Sequence, residues 1–391
     1  MSKFVVIVAI AGLCFVAWAA SPAGGVNAGH QLSYATLIGA LGGFALYHAA
    51  FGFTAGWRRL VRERRGAGMR AQLLLIGMTV LVSFPLIAYG GGQGVNVSGW
   101  VFPVGLASAL GAAMFGFGMQ LGGGCGSGTL FTVGGGSTRM MITLVAFIAG
   151  SVIWTGTSGW TQTLPRVEGI SAIRELGAPA ALLGTLALLG GLYWWTVLIE
   201  RGRHGGLEAA RKTGSVLFGP WSLWLGAAGL ALTMVLTLLV LGRPWGITSA
   251  YPFWGVKALD ALGVPVREWN GWSERSVARS VFSDGTSVMN FGVMLGALMA
   301  SGLAGRFAPT LRLSARDVWT AVIGGVLMGY GARLSFGCNI GGFIGGVISG
   351  SAHGWWWLIF GFLGSWLGVM ARGAVGMDPP LEPGTRAARA A

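Results

Sequence analysis

Residues 121–128 read LGGGCGSG and residues 334–341 read LSFGCNIG, the second stretch repeating the first at a constant offset of 213 residues. The offset pairs Cys125 with Cys338. Working outward, it also pairs Gly111 with Gly324, Gly116 with Gly329, Gly118 with Gly331, Leu121 with Leu334, Gly124 with Gly337 and Gly128 with Gly341. Glycine matches mean little in a chain with 71 glycines, but two of only three cysteines falling in register is hard to obtain by chance. The chain therefore contains a duplication. A weaker pair agrees: FGFTA, with Gly52 and Thr54, matches WGITS, with Gly246 and Thr248. Each half reads as helix, Gly-x-Thr break, helix, helix, cysteine turn, helix.

Composition fixes the solvent. The chain is 53% hydrophobic and 10% charged, whereas soluble domains are about a quarter charged. Apolar runs of roughly 18 to 25 residues recur, each long enough to cross about 30 Å of hydrocarbon. They fall near 3–20, 33–56, 71–90, 100–120, 140–160, 178–199, 219–242, 286–305, 317–334 and 353–373. The fold class expected is an all-α polytopic membrane protein of about ten transmembrane helices. Lys3 followed by an apolar block ending in Ala17-Trp18-Ala19-Ala20 has the look of a signal peptide, but an uncleaved anchor is the reading preferred. The organisation expected is an extra N-terminal helix in 1–30, a first repeat in 31–200, a linker in 201–218, a second repeat in 219–377 and a tail in 378–391.

The net charge of +14 would suggest nucleic acid in a soluble protein. Here the cations sit in short loops: Arg58, Arg59, Arg62, Arg64, Arg65 and Arg70 in one, Arg201, Arg203, Arg211 and Lys212 in a second, Arg306, Arg312 and Arg316 in a third. With single crossings these loops share one side with the tail carrying Arg372, Arg386 and Arg389. The positive-inside rule makes that side, and so the C-terminus, cytoplasmic. The charge reports orientation in a lipid bilayer and implies no nucleic acid.

Counted from the loop at 57–70, the run 100–120 crosses inward and its repeat 317–334 crosses outward, so the two halves are inverted. Residues 121–136 and 338–351 are too short and glycine-rich to cross again. Each reads as a re-entrant Gly-Cys segment, the two meeting near the midplane. Irregular backbone at that depth is tolerated where it is buried in protein or lines a polar cavity. Inverted repeats with broken helices are a transporter signature.

The residues expected at the site follow from chemistry. Acids such as Glu63, Glu200, Asp260, Glu268, Asp284 and Asp317 fall in loops or at membrane edges, leaving no buried carboxylate for cation coupling. Arg333 lies inside a predicted span, where Gln120 stands in the other half. It pairs with an anionic substrate, or it caps carbonyls and snorkels outward. Glycine-rich turns entering half-helices present free amides and a positive dipole end to an anion. On that basis Gly124, Gly126, Gly128, Gly337 and Gly341 supply backbone approach, and Ser127, Asn339, Thr54 and Thr248 supply neutral donors. Cys125 and Cys338, kept from water beside an anion, remain neutral thiols. A soft S–H suits a polarizable sulfur atom better than a hard oxygen. Cys14 reads as a small hydrophobe. No Cys-x-x-Cys, His-x-x-His or nucleotide-binding motif is present. Haem ligation by His48 and His353 has no other support, so neither cofactor nor metal is expected.

Three stretches are similar to a known family: GFGMQLGGGCGSGTLFTVGGGS at 116–137, RPWGITSAYPFWG at 243–255 and GGVLMGYGARLSFGCNIGGFIGGVISGSAHGWWW at 324–357. Over roughly 33–373 the chain resembles the YeeE/YedE family of inner-membrane sulfur-compound transporters. The resemblance implies a bacterial inner-membrane protein with an hourglass pore, in which Cys125 and Cys338 contact thiosulfate in sequence. It also implies a cytoplasmic TusA-like sulfurtransferase as partner. Family members that import thiosulfate carry a further cysteine in the first break, where this chain has Gly52 within AFGFTAG. Sulfite, another sulfur anion or a selenium compound therefore stays open as substrate. A membrane sulfurtransferase forming a cysteine persulfide is the enzymatic alternative, disfavoured because no neighbouring His or Lys in sequence would generate the thiolate. A pseudo-symmetric chain is complete alone, so a monomer is expected.

Overall fold

The computed structural model describes residues 1–27, 29–269, 271–309 and 311–378, so the predicted tail beyond Asp378 lies outside the described residues. The chain is built almost wholly of helices. After α1 (Lys3–Ala19), the first part of the chain holds α2 (Gln31–Ala49), α3 (Phe53–Glu63), α4 (Ala67–Tyr89), α5 (Leu106–Gly122), α6 (Gly126–Gly134), α7 (Thr138–Thr157), the short α8 (Ala172–Leu176) and α9 (Ala178–His204). The second holds α10 (Leu223–Leu241), α11 (Ala250–Ala261), the short α12 (Glu274–Ala278), α13 (Gly285–Leu303) and α14 (Ala315–Leu334). A π-helical turn, Asn339–Ile344, then runs through the three-residue α15 (Gly345–Val347) toward α16 (Ala352–Ala374). Two short strands, β1 (Val104–Gly105) and β2 (Arg166–Val167), pair antiparallel. Among the described residues nine helical stretches are long and apolar enough to span a membrane; α1, at 17 residues, is shorter.

A helix forms at each of the ten expected runs, nine of them within stretches long enough to span, with differences at their ends. The run at 33–56 divides because Ala50 takes a left-handed conformation and ends α2, and Gly52 then caps a separate α3. The run at 100–120 becomes helical only from Leu106. Pro103 disfavours helix in the residue before it, and Trp100 and Phe102 are spent on packing described below. The stretch between 241 and 286, expected to be merely polar, folds α11 and α12 around a small cluster of Val256, Val266 and Val277 backed by Trp269 and Trp272. The peripheral helices α1 and α9 expose Phe4, Ile7, Phe15, Leu183, Leu188 and Trp194, the surface a lipid-facing helix needs.

The centre of the molecule is an antiparallel crossing of α5 and α14. A Cβ on Gly111 would stand 2.7 Å from the Gly331 carbonyl oxygen, and one on Gly118 would stand 2.8 Å from that of Gly324. No side chain fits there, which explains small residues at these positions. The contacts are reciprocal: the residue seven places on in one helix meets the first of the pair in the other. The flanking contacts repeat the pattern, with Gly116 against Gly361 of α16 and Gly329 against Phe147 of α7.

One sequence expectation is overturned. Glu200 is a buried carboxylate, 0% exposed. Arg70 donates to it at 2.7 Å, Arg65 at 3.2 Å, and the amides of Gly66 and Glu208 at 3.0 and 2.9 Å. Four donors compensate its lost hydration, which the sequence did not reveal because they come from two separate loops. Nor is Arg333 the lone arginine inside the helical body, since Arg70 and Arg372 are buried too.

Candidate functional site

The first cysteine turn is made where Gly123, with a φ of 92°, ends α5 and Cys125 caps α6. The Gly128 amide donates to Cys125 Sγ at 3.4 Å, and Ser127 Oγ lies 3.4 Å from the same sulfur. Arg139 of α7 fixes the turn from behind by donating to the carbonyls of Leu121 and Gly122 at 2.7 and 3.0 Å. The second turn follows α14, where Phe336 and Gly337 both have positive φ (59° and 153°) and Cys338 stands at the N-cap of the π-helical turn without a side-chain capping bond. Trp357 Nε1 holds it by donating to Ser335 Oγ at 3.1 Å and to the Gly337 carbonyl at 3.2 Å.

The two turns meet. A Cβ on Gly126 would stand 3.0 Å from Cys338 Sγ and 3.2 Å from the Thr248 methyl, so only glycine admits this approach. Tyr251 Oη donates to the Gly126 carbonyl at 3.3 Å from the start of α11. The amino-terminal ends of α6, of α11 and of the 339–347 segment thus converge, each directing its positive dipole end to one place. The end of α3 is tied to them by Gln120, whose Nε2 donates to the Thr54 carbonyl at 3.2 Å and to Ser365 Oγ at 2.8 Å. Asn290 plays the same part at the second break, donating to the Ile247 carbonyl at 2.8 Å. Both thiols are buried, Cys125 at 1% exposure and Cys338 at 0%.

Around this point Thr54 Oγ1, Gln120 Oε1, Asn290 Oδ1 and both amide atoms of Asn339 are buried with no hydrogen-bond partner. Each orphaned buried polar atom costs about 1–3 kcal/mol, a burden that a polar ligand relieves. On one side Trp100 covers the second turn, within van der Waals reach of Gly246, Gly341 and Gly345. Arg243 lies 6.0 Å over the Trp100 ring. Beside it Phe102 stacks on Phe336 with centroids 4.7 Å apart, and His353 meets both rings edge-on. His353 makes no hydrogen bond to a thiol, and its ring nitrogens are unpartnered. On the other side Gly52 borders a cavity of about 90 Å³ with Arg59 and Gln72, next to one of about 440 Å³ containing Arg59, Arg70 and Arg211.

Of the residues expected at the site, Cys125, Gly126, Ser127, Gly128, Thr248, Gly337, Cys338 and Asn339 lie in or directly beside the two turns. Thr54 joins them through Gln120. Gly124 packs on Met140 and Gly341 toward Trp245 and Trp100, so both shape the turns from outside. Arg333 does not join them: its guanidinium lies 5.1 Å over the Trp154 ring, in a separate cavity. Tyr251, Asn290 and Trp100 were missed. Tyr251 stands three residues after the Gly-x-Thr break, a position the quoted motif contained; Trp100 was read as part of a helix.

The family model described as sulphur transport matches residues 48–367. The chain is 26% identical over 344 residues to the thiosulfate transporter TsuA of Escherichia coli, covering 84% of this chain and 91% of that protein. It is 24% identical over 343 residues to the thiosulfate transporter TsuA of Spirochaeta thermophila, covering 84% and 96%. It is 30% identical over 130 residues to the Escherichia coli protein named "Probable transporter YedE", a match spanning 33% of this chain and about a third of that relative's length, 32%.

Proposed function

This chain belongs to the sulphur-transport family, and we propose that within it the chain carries thiosulfate inward across a bacterial inner membrane along a path on which Cys338 and then Cys125 contact the anion. The observation that carries the reading is the meeting of the two cysteine turns, with Gly126 against Cys338 Sγ. At that point dipole ends and backbone amides supply positive potential for an anion, and neutral thiols supply soft donors for its terminal sulfur. Contacts of this strength replace hydration without trapping the ion. The antiparallel, reciprocal crossing of α5 and α14 supports two halves related by a two-fold axis in the membrane plane, approximately residues 31–200 and 219–377, with the arginine-rich face cytoplasmic.

A membrane potential negative inside opposes entry of a dianion. Consumption of thiosulfate by a cytoplasmic sulfurtransferase of the TusA type would draw it inward, and the arginine-lined cavity beside Gly52 is where the anion would emerge. A single chain suffices for the path, consistent with a monomer.

The test is uptake of radiolabelled thiosulfate into proteoliposomes holding the purified chain, Cys125→Ala or Cys338→Ala. The expected result is uptake by the parent and background counts for both variants, with equal amounts of inserted protein. A variant that transports at the parental rate removes its cysteine from the path. A parent that takes up sulfite or a selenium oxyanion but not thiosulfate would reassign the substrate.

A further inference from the structure

A second feature lies away from the cysteine turns, where α14 and α7 end opposite the basic loops. A cavity of about 240 Å³ opens there among Pro103, Ser108, Trp154, Thr161, Arg166 and Arg333. Among the described residues no carboxylate lines it. The Arg333 guanidinium lies over the Trp154 ring, and its Nε is buried with no hydrogen-bond partner, as is Trp154 Nε1. Arg166 reaches the same space from β2, whose pairing with β1 is fixed by Gly105 against Arg166. The larger arginine-lined cavity differs in kind: there Glu208 engages Arg59, Glu200 engages Arg70, and the carbonyls of Trp221 and Ala49 engage Arg211.

The half-buried Arg333 guanidinium, the exposed Arg166 and the unpartnered Trp154 indole N–H, with no carboxylate among the described lining residues, leave a positive potential uncompensated. A buried unpaired cation is costly unless an anion answers it. Charge-assisted N–H donors of this kind recognise small oxyanions. We propose that this cavity is an outer anion-binding site, which captures the sulfur oxyanion before it reaches Cys338. The assignment deepens the transport reading and rests on it for the identity of the anion. Leu334 and Phe336 form part of the cavity wall. Phe336 is stacked on Phe102 and precedes Cys338 by two residues, so an anion bound here waits beside the second turn. The site has no thiol. It therefore reads charge and size, accepts sulfate as well as thiosulfate, and leaves the discrimination of sulfur from oxygen to the cysteines.

The experiment is equilibrium binding of radiolabelled sulfate and thiosulfate to purified protein. A chain carrying Cys125→Ala and Cys338→Ala together is expected to retain binding of both anions. Arg333→Gln should weaken that binding by about tenfold or more, the worth of one charge-assisted hydrogen bond, and Arg333→Lys should recover part of it. Sulfate binding to the otherwise unaltered chain, with and without Arg166→Gln at an exposed strand position, gives a second readout that needs no cysteine variant to fold. The proposal is overturned if the double cysteine variant binds neither anion, or if sulfate binding is unchanged by both arginine substitutions. Anion binding that depends on Arg333, in a parent that shows no uptake, would sustain the outer site and reject the transport reading alone.

Discussion

The two cysteine turns hold equivalent places in the sequence and are built differently. At the first, Cys125 caps a regular α-helix, and its sulfur is already engaged by the Gly128 amide and the Ser127 hydroxyl. At the second, Cys338 opens a π-helical turn, its sulfur has no cap, and Asn339, standing where the other half has Gly126, is buried with both amide atoms unpartnered. The preceding positions diverge likewise. Gln120 turns inward to brace the first break, whereas Arg333 turns outward onto Trp154. A π-turn concentrated at one site is often functional. On the proposed transport path the difference suits a division of labour in which the second turn takes hold of the ligand and the first receives it on a preformed scaffold.

The sharpest way to break this comparison is to substitute the two equivalent residues. Gly126→Val forces side-chain atoms into the space Cys338 Sγ occupies, and thiosulfate uptake is expected to fall to background while the protein still inserts. Asn339→Ala removes polar groups without wedging the turns apart, so uptake should fall by only about tenfold, the value of a hydrogen bond or two. Equal losses at both positions would mean the turns are functionally alike.

Next in size is the support behind each turn. Trp357→Phe deletes the single N–H that donates to both Ser335 Oγ and the Gly337 carbonyl and should cost about 1–3 kcal/mol, seen as a lower thermal midpoint in detergent. Arg139→Met frees the Leu121 and Gly122 carbonyls and should cost at least as much. If only one substitution destabilises, the turns are not equally braced.

Smaller still is the expected effect of Gly52→Cys on stability. Gly52 has an ordinary extended φ of −116°, and a Cβ there would meet nothing nearer than Ala55 Cβ at 3.6 Å. In a Cys14→Ala background, a membrane-impermeant maleimide is expected to label the new thiol from the arginine-rich side and to leave the buried Cys125 and Cys338 unmodified. Labelling of Cys125 or Cys338 before position 52 would reverse the picture of which groups face the cavity.

The smallest effect should come from the exposed ion pair beyond the second break. Hydrogen bonding to Arg267 holds the Asp260 carboxyl below its usual range. Its contribution is therefore present above the ordinary aspartate pKa and is lost as pH falls through the lowered value. Exposed pairs are worth little, so Arg267→Gln should leave uptake and thermal midpoint unchanged at neutral pH. A large loss would show that this loop, which has no counterpart between α3 and α4, takes part in transport.

The helical spans were legible because lipid demands long apolar runs, and the meeting of the two Gly-Cys turns because cysteine is rare enough here for its register to stand out. The direction in which a buried polar side chain points was not. Whether Arg333 faces the turn or Trp154 depends on what α7 places beside it, and Glu200 is buried only because Arg65, Arg70 and two amides from other loops enclose it. Trp100 and Phe102 are as apolar as a helix interior, so hydropathy alone counted them into α5. The half-helix α11 escaped notice because twelve residues with Lys257 and Asp260 near the end do not read as membrane-buried, although their first turn is.

The crossing of α5 and α14 constrains how such a molecule can move and how it can evolve. With carbonyl groups pressed into positions where other residues carry side chains, the two helices touch skeleton to skeleton and have nothing compressible between them. They form an axle rather than a cushion: the halves can roll slightly about it but cannot swing apart. On the proposed path, passage of an ion then falls to local rearrangement of the turns and their aromatic cover. Because Gly111 and Gly118 of one helix are clasped by Gly331 and Gly324 of the other, a larger residue at any of the four is felt on both sides of the junction.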